Sequence, residues 1–137
     1  MSDVLDAKIL SLERCLARIQ SRIPPNAAAL ALDVDSQDIV ALNLERAVQL
    51  CVDMAMHVLA SSEGGMPSTM SDGFFRLAAA GLISETTARN MARAVGFRNI
   101  SVHAYREIDW NIVYAIVTRH LDDFRIFARE LIYGCGK

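Results

Sequence analysis

Between two apolar stretches the chain reads Gly96-Phe97-Arg98-Asn99-Ile100-Ser101-Val102-His103-Ala104-Tyr105-Arg106, which sets a guanidinium, an amide, an imidazole and a phenol close together. If the run is helical from Phe97, the 3.6-residue repeat places Asn99 and His103 on one face, one turn apart, with Arg98 at its flank. Arg106 would project near the same face, and Tyr105 near that of Arg98. An imidazole titrating at about pH 6.5 can take a proton from a hydroxyl or return one to a leaving oxygen. A guanidinium neutralises phosphate charge, and an amide donates to a phosphate oxygen. Held together, these groups suit an anionic substrate whose reaction needs proton transfer, and phosphodiester cleavage fits best. Each also has a plainer role. His103 could be a core histidine bonded to a carbonyl, Arg98 half of a surface ion pair, and Asn99 a helix cap. Tyr105 could stack on a base, bond a phosphate or simply fill a bundle.

The spacing Arg98-x4-His103-x-Tyr105 is similar to the R-x4-H-x-Y signature of HEPN-domain proteins (higher eukaryotes and prokaryotes nucleotide-binding). Within that group the chain resembles the HepT-like toxins encoded beside a minimal nucleotidyltransferase. The likeness includes Asn43-Leu44-x4-Gln49-x3-Asp53-x3-His57, Phe74-Phe75-x-Leu77 with Ala80-Gly81-Leu82-Ile83, and Tyr105-x2-Ile108-Asp109-x3-Val113-Tyr114, and it spans most of residues 40–127. The resemblance implies a metal-independent endoribonuclease, the toxin of a prokaryotic toxin–antitoxin pair. The ribose 2′-hydroxyl would attack its own phosphodiester, His103 would handle the proton, and Arg98 and Asn99 would stabilise the developing charge. The family also implies a homodimer with two such motifs facing one cleft, so that one histidine acts as base and the other as acid. It implies adenylylation of Tyr105 by the nucleotidyltransferase antitoxin, which would put bulk and negative charge where RNA phosphate must sit. The alternative is a non-catalytic HEPN module that binds nucleotide or a nucleotidyltransferase partner.

A second polar group lies earlier. Arg46, Gln49, Asp53 and His57 cover roughly a third of a helix circumference, with Asn43 at the edge. With Arg106, Asp53 and His57 are the candidates for RNA binding, on a stripe that lines the cleft beside the signature or the dimer seam. A solvated face, or a polar stripe that only sets bundle register, reads as well. Asp53-x3-His57 has metal-pair spacing, yet an i,i+4 hydrogen bond accounts for it, and neither metal nor cofactor is expected.

The elements that must position these residues are helical. Leu5, Ile9, Leu12, Leu16, Ile19 and Ile23 form one seam until Pro24-Pro25 stops it. A polar stretch with Asp33, Asp35 and Ser36 leads into a helix over about 36–60, whose positions 40, 43, 47, 50, 54 and 57 repeat the seam. Residues 61–68 read as a loop, Ser71 as the cap of a short helix ended by Gly81, and Ser84 as the cap of another that reaches about Val95. Gly96 is expected to interrupt before the signature. Asp109 then opens a last long helix with the seam Val113, Ile116, His120, Phe124, Phe127 and Leu131. No period-two pattern exists to make a sheet. The fold expected is all-α, an up-and-down bundle of four main helices plus a short helical insert, in one domain over residues 1–137.

Composition bounds the rest. A hydrophobic content of 53% favours a dimer or a permanent partner, because one copy of this size would struggle to bury it all. The net charge of −2 does not advertise a polyanion ligand, but Arg89, Arg93, Arg98 and Arg106 crowd residues 86–106 without one acid, while Asp33, Asp35 and Asp38 cluster elsewhere. Twelve of the fourteen basic residues are Arg, which grips phosphate in bidentate fashion, although a GC-rich genome gives the same bias. Three cysteines without a C-x-x-C pair, an acidic start and no apolar run of about 20 residues point to the cytoplasm and away from a membrane. No P-loop, dinucleotide fingerprint or nucleophile elbow is present.

Overall fold

The computed structural model describes residues 3–61 and 66–136. Its helices are α1 (Asp3–Gln20), α2 (Ala27–Leu32), α3 (Val34–Leu59), α4 (Met70–Ala79), α5 (Glu85–His103), α6 (Trp110–Arg119) and α7 (Leu121–Cys135), with a 3₁₀ turn at Tyr105–Glu107 between α5 and α6. No strand occurs among the described residues. The middle of the expected 61–68 loop, residues 62–65, lies outside them.

The central helix is α3, which touches α1, α2, α4, α5 and α7. A helix surrounded on several sides must bury more than one stripe, and α3 does so with Val40, Leu44, Val48, Cys51 and Met54 alongside the small Ala41, Ala47 and Ala55. The seams of α1 and α7 close on it. Leu5, Leu12, Leu16 and Ile19 are buried on α1, and Phe124, Phe127 and Leu131 on α7, in one cluster with α3. Phe127 meets Phe74 of α4 edge to face, with ring centroids 5.3 Å apart.

The entry to α5 is anchored with particular care. Ser84 caps it by accepting the Thr87 N–H at 3.1 Å. Glu130 of α7 accepts both the Ser84 N–H (2.7 Å) and the Thr87 hydroxyl (2.9 Å), tying two helices together at that point. Gly81 turns the chain there at φ +78, a conformation side chains disfavour. Gly134 lets α7 approach so closely that a Cβ would stand 2.7 Å from the Leu82 carbonyl oxygen.

Several elements depart from the sequence expectation. Gly96 does not interrupt: α5 runs unbroken to His103, because the exposed glycine faces open space and its cost of about 1 kcal/mol relative to alanine is outweighed by packing on both sides. The helix ends at His103, where Ala104 leaves helical geometry (φ −145, ψ 50), so Tyr105 and Arg106 lie on the 3₁₀ turn and not on an extension of α5. The last long helix is two, broken at His120, whose Nδ1 stands 3.2 Å from an Asp123 carboxylate oxygen. Thr69, not Ser71, caps α4. Helix α2 was unexpected. Asn26 caps it, and Asp33 both ends it and caps α3, held ionised below the usual carboxylate range by its bonds from the Ser36 hydroxyl and N–H.

Candidate active site at the end of α5

Three polar side chains of the signature segment stand on open surface at one end of the bundle, with Arg98 half-buried beside them. Asn99 and His103 are exposed, one helical turn apart on α5, as their spacing requires. Arg98 is half-buried and its guanidinium donates to Asn99 Oδ1 at 3.3 Å. That bond links the cation to the face that carries the imidazole. Arg106 is exposed on the 3₁₀ turn. Between the polar positions, Ile100 and Val102 are also exposed, at 47% and 45%.

Tyr105 is more constrained than a surface tyrosine. Its hydroxyl donates to Asp38 Oδ1 at 2.7 Å, and its ring meets Trp110 edge to face with centroids 5.9 Å apart. Burial, then the bond to Asp38 and the negative charges of Asp38 and Glu45, push the phenol above its ordinary range, so it stays protonated. One turn before Tyr105, the buried Ser101 hydroxyl donates to Glu45 Oε1. Asp38 and Glu45 thus form a carboxylate edge of α3 that receives the end of α5. Sequence reasoning put Asp38 in an acidic cluster away from the signature and overlooked Glu45. The available signal was their seven-residue separation, which is two turns and places both on one side of a helix.

The other sequence candidates sit elsewhere on α3. Asp53 is half-buried, accepts from Gln49 Nε2 at 2.9 Å and pairs with Lys8 of α1 at 3.7 Å. His57 is exposed one turn further on. At 1.5 Å per residue Asp53 lies about 12 Å along the axis beyond Glu45, so the fold does not bring it or His57 to the end of α5. Among the described residues no three His, Cys, Asp or Glu side chains converge to hold a metal ion. Cys15 and Cys51 are free, buried thiols held protonated by burial and take no part in the site.

Beside the signature, α5, α6 and the start of α7 bound a groove of about 650 Å³, walled mainly by Phe97, Ile100, Ile112, Ile116 and Phe124, with Arg93 and His120 at its border. No helix among the described residues is long and apolar enough to cross a membrane.

A family model described as ribonuclease HepT-like matches residues 12–131, which includes Asp38, Glu45 and the whole signature segment. The chain belongs to the HepT-like ribonuclease family. It is 37% identical over 127 residues to the mRNA nuclease HepT of Shewanella oneidensis, covering 93% of this chain and 95% of that protein. It is 26% identical over 88 residues to the tRNA nuclease HepT of Aphanizomenon flos-aquae, covering 64% of this chain and 60% of the relative. Among solved structures, the tri-AMPylated Shewanella oneidensis HEPN toxin in complex with MNT antitoxin superposes with a TM-score of 0.90 at 35% identity, covering 97% of this chain and 99% of that one. A toxin–antitoxin structure with AMP-PNP superposes at 0.89. The all-α HEPN-like bundle expected from the sequence is therefore the fold.

Proposed function

We propose that this HepT-like chain is the toxin of a cytoplasmic toxin–antitoxin pair, an endoribonuclease that cuts RNA without a metal ion and is controlled by an MNT-type nucleotidyltransferase. The observation that carries the reading is the open end of α5, where Asn99 and His103 share one exposed face and the Arg98 guanidinium donates to Asn99 at its flank, in a ribonuclease-family fold. The 2′-oxygen attacks the adjacent phosphorus, the 5′-oxygen leaves, and a cyclic phosphate remains. His103 takes the 2′-proton, and Arg98 and Asn99 hold the charge that accumulates on the phosphoryl oxygens. Arg106, exposed on the neighbouring turn, supplies a further contact for RNA phosphate.

A homodimer completes this chemistry. His103 lies five positions after Arg98, which turns the two about 140° apart around one helix. A second α5 facing the first brings the guanidinium of one copy opposite the imidazole of the other, and supplies a second imidazole to protonate the leaving oxygen. Exposed Ile100 and Val102 and the adjacent groove give such a pairing apolar surface to cover. Residues 1–137 act as one unit in this account. Adenylylation of Tyr105 by the antitoxin adds phosphate charge and bulk beside His103 and so silences the site.

Incubating the purified chain with total cellular RNA tests the reading. Wild type is expected to cut, and prior treatment with the nucleotidyltransferase and ATP is expected to abolish cutting. Unmodified protein that leaves RNA intact while still binding the nucleotidyltransferase would make it a binding module instead.

A further inference from the structure

We propose that Asp38 is the proton acceptor through which Tyr105 becomes adenylylated, so that the toxin contributes a catalytic carboxylate to its own silencing. The inference rests on Tyr105 as the modified residue. In the step, the Tyr105 oxygen attacks the α-phosphorus of ATP held by the nucleotidyltransferase and a phenolic O–P bond forms. The bond from that phosphorus to its bridging oxygen breaks and pyrophosphate leaves. The phenolic proton passes to Oδ1 of Asp38.

Three features of the site support this assignment. First, the hydroxyl already donates to Asp38 at 2.7 Å, inside the range a general base needs, which leaves the oxygen's lone pairs free for phosphorus. Second, Tyr105 is 38% exposed while Trp110 braces its ring edge on, so the oxygen is both reachable and oriented. Third, the charges that bear on the phenol from the packed helix are those of Asp38 and Glu45, and both oppose a free phenolate. The proton must then leave as the bond to phosphorus forms, and an acceptor must be in place at that moment. Glu45 is already engaged by the Ser101 hydroxyl, which leaves Asp38.

If the Asp38 bond were only a tether, breaking it would free the phenol and leave modification as fast or faster. Intact-mass kinetics of AMP addition, using the full chain with its nucleotidyltransferase and ATP, separates the two. For Asp38→Asn we expect kcat to fall about 100-fold or more with KM for the toxin little changed, and the remaining rate to climb with pH as hydroxide replaces the carboxylate. Asp38→Glu, which keeps the base, is expected to recover part of the rate, and thermal melting of both variants reports that they fold. An Asp38→Asn chain modified at the wild-type rate, or slowed through KM alone, overturns the proposal while leaving Tyr105 as the target. A wild-type chain that gains no AMP at Tyr105 overturns both.

Discussion

The two ends of α3 both carry acids, and they hold different things. Near its start, Asp38 and Glu45 reach across to another helix and receive the hydroxyls of Tyr105 and Ser101, fixing the end of α5. About 22 Å along the helix from Asp38, Asp53 is occupied by its own helix through Gln49 and by the flexible Lys8 of α1. In sequence the second group stands out, because its residues repeat at helical spacing around a histidine. In the structure the first group meets the signature. A polar stripe on one helix records which side is not core, and only the contacts between helices record what that side serves.

The largest expected contrast is in activity. His103→Ala should reduce RNA cleavage by at least about 100-fold, in line with loss of a general base, whereas Asp53→Asn should stay within a few-fold of wild type in the same gel assay. Equal losses would put the α3 stripe in the active site and remove the distinction between the two ends.

Stability offers the next test. Ser101→Ala breaks a buried hydrogen bond to a carboxylate and is expected to cost about 1–3 kcal/mol in urea denaturation. Lys8→Met breaks a partly exposed ion pair and should cost about 0–1 kcal/mol.

The pH dependence follows from Tyr105. Its folded pKa is raised, so the folded state holds the proton more tightly than the unfolded chain does. That stabilisation is complete below the free phenol's value of about 10 and is lost as pH rises through the folded value. Phenolate absorbance should show Tyr105 ionising above the free phenol's value, and Asp38→Asn should bring it back toward that value. At the far end of α5, Ser84→Ala should cost about 1 kcal/mol as a lost cap while leaving the fragment pattern unchanged.

Much of the bundle was legible because burial follows the 3.6-residue repeat. Leu5, Leu12, Leu16, Ile19, Val40, Ala47, Met54, Val113, Phe124, Phe127 and Leu131 all fall on seams read from the sequence and are buried. The two seam histidines, His57 and His120, are exposed instead, because an imidazole at a helix end reaches water more cheaply than it finds a buried partner. Breaks were harder to place. Gly96 is a poor helix former in isolation, but its neighbours Val95 and Phe97 pack on the core and carry the helix through. His120 is an ordinary helix residue by propensity, yet the chain breaks there. In the site, the order Arg98, Asn99, His103, Tyr105 was readable from spacing. Asp38, Glu45 and Trp110 were not, since each reaches the signature through a tertiary contact that local pattern does not encode.

A metal-independent ribonuclease site that pivots on His103 leaves a chemical record in its products. The most direct test is the chemistry of the fragment ends after wild type and His103→Ala are incubated with RNA in EDTA. Wild type is expected to leave 2′,3′-cyclic phosphate and 5′-hydroxyl ends, and the variant to leave RNA intact. Ends bearing 5′-phosphate and 3′-hydroxyl, or cleavage undiminished in His103→Ala, would contradict such a site.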